Sequence, residues 1–335
     1  MTVHSESDEP MSVALLPNAA HRVDDPIAMP QVAVLIPCLN EEKTVATVVA
    51  DFQAELPDAV IWVIDNGSTD ETISRAMAAG ARIIFEPRKG KGFAIRAAFR
   101  DIEADVYVLA DGDGQLPAAS VHDLIRPVLE GHADMVVGSR AEGGQMSPNP
   151  INNLGNVLFS RILRSLLNVR VTDVLSGYRA LSRMLVKSLP LASSHFEIEV
   201  ELTIKTSQRR YRIREVPFEV RPRAEGTTTH LRVFRDGLKI SWAILLLFRD
   251  YRPLAFFSIA GTAWFGLAIV LYGFWRGQDF LFLPIDGLAL LAAVTGLLSF
   301  AIGATLSVIA RRFEEIEGKV DMVTTVGLGR DASED

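Results

Sequence analysis

Five short apolar runs punctuate the first two thirds of the chain, at residues 32–36, 60–64, 81–85, 106–110 and 135–137. Each is long enough for a buried strand, and helix-like segments separate most of them; residues 41–55 carry helical spacing. Alternating strand and helix predicts an α/β domain, a mainly parallel, Rossmann-like sheet covered on both faces. Such sheets bind ligands beyond the carboxyl ends of their strands, so the residues after each run are where chemistry is expected.

The last third reads differently. Residues 254–275 and 288–310 are two uncharged stretches of 22 and 23 residues. Either can cross a hydrocarbon layer of roughly 30 Å. Together they predict a transmembrane hairpin over 253–312. Arg249 and Arg252 precede it, Arg311 and Arg312 follow it, and the connection at 276–286 has only Arg276 as a basic residue. The positive-inside bias then places both ends, and the preceding domain, on the cytoplasmic side of a multi-pass inner (cell) membrane protein. Before the hairpin, residues 230–252 space Arg232, Arg235 and Lys239 between Val233, Phe234, Leu238 and Trp242, which predicts an amphipathic helix lying at the interface. Residues 1–30 are polar, with Asp8, Glu9, Asp24 and Asp25; they lack a secretory leader's basic start and apolar core and read as a disordered tail. Residues 313–335 read as a polar C-terminal tail.

Composition narrows the partners. The net charge of −7 and pI near 5.5 disfavour nucleic acid. Cys38 is the single cysteine, so no internal disulfide forms, which suits a reducing compartment. The mean hydropathy of +0.22 comes from the last third.

Each strand end carries polar residues. After the first stands Pro37-Cys38-Leu39-Asn40-Glu41-Glu42, with Asn40 placed to cap the next helix. After the second stands Asp65-Asn66-Gly67-Ser68-Thr69-Asp70. Asn66-Gly67 makes a turn and Ser68 or Thr69 can cap, which leaves the Asp65 carboxylate for a ribose or base. Arg88-Lys89-Gly90-Lys91-Gly92 opens the third helix, with glycines that admit close backbone approach and cations that suit phosphate. The fourth strand ends in Asp111-Gly112-Asp113-Gly114-Gln115. Two half-buried carboxylates so close together need neutralising, and Mg²⁺ or Mn²⁺ does this with hard oxygen ligands. Gln115 adds a carbonyl oxygen. Arg140 after the fifth strand and Arg179 in Asp173-Val174-Leu175-Ser176-Gly177-Tyr178-Arg179 are candidate phosphate clamps. A loop at 143–150 reads as a lid, and Glu197 and Glu199 are candidate sugar contacts.

Taken in order, PCLNE, DNGSTD, RKGKG, DGDGQ, GSR, DVLSGYR and VPFEVRPR resemble glycosyltransferase family 2, and within it the polyprenyl-phosphate sugar synthases of the dolichyl-phosphate mannose synthase type. The resemblance runs from about residue 32 to 229 and implies a GT-A catalytic domain over 31–229. It implies inverting transfer of a hexose from a UDP- or GDP-sugar to a polyprenyl phosphate, in bacteria often undecaprenyl phosphate serving the cell envelope. It implies Pro37, Leu39, Glu41 and Asp65 around the nucleoside, with Lys91, Gly112 and Arg221 also in the nucleotide-sugar site. It puts Asp111, Asp113 and Gln115 at the metal, and Asp113, Arg140 and Arg179 in the catalytic set. Relatives oligomerise at times, so a homo-oligomer stays open. Three positions differ from the family's strings: Leu39 replaces a frequent aromatic, Asn66 a second carboxylate, and Glu225-Gly226-Thr227 a serine–lysine ending.

The lipid phosphate is mostly a dianion near neutral pH if its second pKa is near 6, so no strong general base is expected. Competing readings are a different acceptor, a processive polysaccharide synthase, a sugar nucleotidyltransferase and a non-catalytic nucleotide-sugar sensor. The QxxRW string of a processive polysaccharide synthase is absent from the contexts of Trp62, Trp242, Trp264 and Trp275. A nucleotidyltransferase has no use for the hairpin, and a sensor predicts a broken metal site.

Overall fold

The computed structural model describes residues 30–140, 150–222, 233–275 and 285–331. The tail at 1–29, most of the loop at 143–150, Arg223, the 225–229 string, Arg232 and the connection at 276–284 lie outside the described residues.

All five expected strands form: β1 (Val32–Cys38), β2 (Val60–Asp65), β3 (Arg82–Phe85), β4 (Val106–Leu109) and β5 (Met135–Ser139). Two more, β6 (Arg179–Ser182) and β7 (Ile213–Pro217), complete a seven-stranded sheet in the order β3-β2-β1-β4-β6-β5-β7. β6 runs antiparallel to both β4 and β5, while the other neighbouring pairs are parallel. The reversal at β6 lets the chain pass back beneath the ends of β4 and β5, where Asp111 and Arg140 stand.

The helices are α1 (Val45–Glu55), α2 (Thr72–Ala78), α3 (Lys91–Asp101), α4 (Val121–Leu129), α5 (Pro150–Leu167), α6 (Arg183–Ser188) and α7 (Ile198–Gln208), followed by α8 (Val233–Tyr251), α9 (Pro253–Trp275) and α10 (Ile285–Asp331). Side chains alternate across each strand, so the sheet buries two apolar layers. On one face Val34, Ile36, Val63 and Val108 pack with Val45, Val49 and Phe52 of α1 and Leu124 of α4. On the other, Leu35, Ile64, Tyr107 and Val137 pack with Ile95, Leu163 and Ile204 of α3, α5 and α7.

That second layer also takes in Ile240, Ile244 and Phe248 of α8. The expectation of one apolar and one basic face therefore changes. One apolar face of α8 packs on the domain, and Leu238, Trp242 and Leu245 form a second face that is exposed. α9 starts two residues after α8 ends, and its Phe256 ring meets Phe248 at 5.8 Å. α9 and α10 are long and apolar enough to cross a membrane over Pro253–Gly273 and Gly287–Arg312, and most of the large side chains described there are exposed, unlike those of a core helix. They approach closely where Gly261 faces Gly296: a Cβ on Gly261 would stand 2.9 Å from the Gly296 carbonyl. α10 runs on to Asp331, so its backbone shows no break where the polar tail was expected; no proline interrupts residues 313–331, and an established helix propagates cheaply.

Candidate active site

Carboxylates from three strand ends converge. The thiol of Cys38, at the end of β1, is pushed well up by burial, and then by Glu41, Asp65, Asp111 and Asp70. Those groups follow β1, β2 and β4, so the expected nucleoside and metal loops do meet. The fit is close: a Cβ on Gly112 would stand 2.6 Å from Cys38 Sγ, and Thr44 Oγ donates to the Gly112 carbonyl at 2.6 Å. Gly112 therefore serves the packing of the loop on α1. Gln115 N–H donates to Asp113 Oδ1 at 3.1 Å, which curls the loop around its second carboxylate.

The loops after β1 and β2 are tied to one another. Asn40 takes a left-handed backbone (φ 57°); its N–H donates to Ser68 Oγ at 2.9 Å and its Oδ1 accepts from Thr69 N–H at 2.8 Å. Glu41 N–H donates to Thr72 Oγ1 at 2.8 Å. Asn40 thus staples two loops instead of capping α1, whose N-cap is Thr44, and Ser68 does not cap α2. Asp65 is fully buried and accepts the N–H groups of Gly67 and Ser68 at 3.0 and 3.3 Å. Beside the ribose or base contact expected of it, the carboxylate closes its own turn, which uses part of its acceptor capacity. Pro37 and Leu39 are half-buried beside this junction.

Asn66 explains its own departure from the family string. Its Nδ2 donates to the carbonyls of Glu86 and Arg88 at 3.1 and 2.7 Å, and its Oδ1 accepts from Gly90 N–H. Gly90 and Gly92 were expected to admit a ligand. Instead they admit the backbone of Ser193 and Ser194, which a Cβ at either position would strike; Gly92 N–H donates to the Ser194 carbonyl at 3.1 Å.

Lys91 begins α3 in the middle of the charge cluster. Its Nζ lies 2.5 Å from Asp111 Oδ1 and 2.7 Å from Glu199 Oε1. Burial opposes its charge, but Asp111 and Glu199 outweigh burial and hold its pKa above the ordinary lysine value. Burial raises the Glu199 carboxyl, and Lys91 pulls the other way. Gly177 leaves the space this pair needs: a Cβ there would stand 2.7 Å from Asp111 Oδ2 and 3.0 Å from Lys91 Nζ.

Arg140 follows β5 and is gripped along one edge. Its Nε and Nη2 donate to the two oxygens of fully buried Asp173, both at 2.7 Å. Burial works against its charge and Asp173 more than restores it. Asn156 Nδ2 adds a 2.9 Å bond to Asp173. Spacing gave no sign of this pair, because its members are 33 residues apart.

Arg179 requires a correction. It was expected to clamp phosphate, yet it is wholly buried. Its Nε donates to the Ser176 carbonyl, Nη2 to the Val174 carbonyl and Nη1 to Thr203 Oγ1, each at 2.8 Å. Burial lowers its pKa to about 10 against the pull of Glu199, Asp173 and Glu215. On β6 its side chain falls on the core side of the sheet, where it ties the Asp173–Ser176 loop to α7. Arg221 also differs: its N–H donates to the Gln115 carbonyl at 2.9 Å, bracing the metal loop, but its side chain reaches outward to Asp51 at 2.6 Å. Glu197 Oε1 accepts the N–H groups of Ser194 and His195 at 3.3 and 3.2 Å.

Asp111, Asp113 and Gln115 are hard oxygen donors at one loop, and Gly177 keeps a side chain from crowding Asp111 Oδ2. Among the described residues no group of three or more His, Cys, Asp or Glu side chains is placed to hold a metal alone. The set fits a Mg²⁺-like cation that takes its remaining ligands from a diphosphate and water.

Residues 33–189 match the model of "Glycosyl transferase family 2". Glycosyltransferase AglJ of Haloferax volcanii is 34% identical over 245 residues, covering 72% of this chain and 80% of the relative. The dolichyl-phosphate hexose transferase of the same organism is 30% identical over 213 residues, covering 64% and 92%. A crystal structure of glucosyl-3-phosphoglycerate synthase from Mycobacterium tuberculosis with Mn²⁺, UDP-glucose and phosphoglyceric acid superposes with a TM-score of 0.56 at 28% identity, covering 65% of this chain and 80% of that one. The same enzyme is also known with Mg²⁺ and UDP, at a TM-score of 0.55. Together these matches show that this chain has the GT-A fold, is a glycosyltransferase and belongs to glycosyl transferase family 2.

Proposed function

We propose that the chain transfers a hexose, with inversion, from a UDP- or GDP-sugar to a polyprenyl phosphate at the cytoplasmic face of a membrane, with Mg²⁺ or Mn²⁺ bound. The observation that carries this reading is a cation-lined carboxylate loop on a domain whose own core includes the helix leading into two membrane-length apolar helices. The names of two relatives support it: one is a dolichyl-phosphate hexose transferase and one was crystallised with Mn²⁺ and UDP-glucose.

Asp111, Asp113 and Gln115 would hold the metal, which supplies Lewis-acid stabilisation to the charge growing on the leaving diphosphate. Lys91 stands ready beside Asp111 as a second cation. Arg140 offers the guanidinium edge that Asp173 does not use, fixed in direction by the bidentate pair. The acceptor phosphate needs no deprotonation; the site's task is to hold it in line behind the anomeric carbon despite two sets of negative charge. The exposed Leu238–Trp242–Leu245 face of α8 would rest in the interface, so that the phosphate of an anchored lipid reaches the metal loop. The Arg249/Arg252 and Arg311/Arg312 pairs support a cytoplasmic domain.

Asp113→Ala tests the metal assignment. Turnover should fall by a factor of about 10³ or more, since the leaving-group charge loses its main stabiliser. Activity equal to the parent's would sink the assignment.

A further inference from the structure

Lys91 is a cation held between two carboxylates from different parts of the fold. Its side chain is 13% exposed, and its Nζ lies 2.5 Å from Asp111 Oδ1 and 2.7 Å from Glu199 Oε1. Asp111 belongs to the loop after β4, whereas Glu199 stands in the first turn of α7. Burial works against the ammonium, and Asp111 and Glu199 more than restore it, so the charge is kept. A carboxylate expected at a divalent cation therefore already carries a monovalent one.

The backbone on either side of Lys91 is held. A Cβ on Gly90 or Gly92 would strike the Ser194 or Ser193 carbonyl, and Asn66 Oδ1 accepts the Gly90 N–H. Any movement of this charge therefore falls to the four-carbon stem of the side chain. An ammonium has three donors, so Glu199 can keep one while another turns away from Asp111. That second anchor matters, because a buried charge stripped of every partner is costly. Two cations on one carboxylate repel each other, so a divalent cation arriving alone meets Lys91 at Asp111. A nucleoside diphosphate brings anionic oxygens that only accept, which gives the ammonium a new partner and leaves Asp111 free.

We propose that Lys91 is a positioning residue that couples metal to nucleotide: it stands in for the divalent cation on Asp111 and releases that carboxylate when a nucleoside diphosphate takes up the ammonium. The inference rests on the metal assignment of the proposed function and deepens it. By linkage, metal and nucleotide then tighten one another by the same factor.

The test follows free Mn²⁺ by its electron paramagnetic resonance signal, with full-length protein in detergent, first with Mn²⁺ alone and then with UDP or GDP added. In the parent, Mn²⁺ alone should bind weakly, and one of the nucleotides should tighten it at least about ten-fold. Lys91→Met should bind Mn²⁺ alone at least about ten-fold more tightly than the parent, and the nucleotide should then add less than about three-fold. Lys91→Gln loses the charge but still donates hydrogen bonds to the carboxylates; it should behave like Lys91→Met and serves if the methionine variant does not fold. Lys91→Arg keeps the charge and should resemble the parent. Lys89→Met, which removes an exposed cation from the same turn, should leave the Mn²⁺ affinity within about three-fold. Unchanged binding of Mn²⁺ alone in the neutral Lys91 variants overturns the proposal, as does an equal gain in Lys91→Arg or Lys89→Met. If the parent binds no Mn²⁺ with either nucleotide, the metal assignment itself has failed, and the proposal with it.

Discussion

Asn66 makes three hydrogen bonds that an aspartate could not all make. Two are donations from Nδ2 to the Glu86 and Arg88 carbonyls, and these fix the turn from β3 toward α3 against the end of β2. Asn66→Asp should leave both carbonyls facing a carboxylate and cost about 1–3 kcal/mol in a denaturant titration. No loss would mean that the turn is held by other contacts. From the sequence alone this position was a departure from a family string; the reason lies in strands 20 residues apart, which no local pattern shows. Arg179 teaches the same lesson with the opposite sign. An arginine in a Gly-Tyr-Arg string near other cations looks like a phosphate ligand, and only the antiparallel turn of β6 sends it into the core. Arg179→Ala should destabilise the domain by about 3 kcal/mol, from two bereft carbonyls and a cavity. Normal stability with nucleotide affinity lost would restore the phosphate role.

At the scale of elements, what was legible followed from burial. β1, β2, β3, β4 and β5 were readable because apolar runs of three to five residues stand out against helical spacing. β6 and β7 were not, since each is short and carries charge, with Arg179 in one and Arg214 and Glu215 in the other. The candidate site was half legible. The DGDGQ loop announced itself by two carboxylates with one glycine between them, whereas the Arg140–Asp173 and Lys91–Glu199 pairs join residues 33 and 108 apart and exist only in the fold. α8 was found but its faces were not, because its apolar residues serve both the domain and the outside. Ile244→Ala, on the inner face, should cost about 2–4 kcal/mol of domain stability. A polarity-sensitive dye on Trp242→Cys, on the outer face, should report an apolar surrounding in reconstituted vesicles, and the same dye on Glu71→Cys should report water. Equal spectra from both sites would remove α8 from the interface.

For the whole molecule, the meaning of the fold lies in how its two parts are joined. Ile240, Ile244 and Phe248 sit in the same apolar layer as the sheet, and Phe256 of α9 meets Phe248, so the domain that carries the DGDGQ loop packs directly against the start of the apolar helices. A soluble acceptor would not require this. A lipid phosphate does, because its headgroup can leave the bilayer only as far as its tail permits. The central claim is therefore that sugar transfer depends on a lipid phosphate. The direct measurement is nucleoside diphosphate release from UDP- and GDP-sugars by the full-length protein in detergent with Mg²⁺ or Mn²⁺, in the presence and absence of a polyprenyl phosphate. Release that needs both the metal and the lipid phosphate is the predicted result; release at the same rate without the lipid, or none from any donor by folded protein, would contradict it.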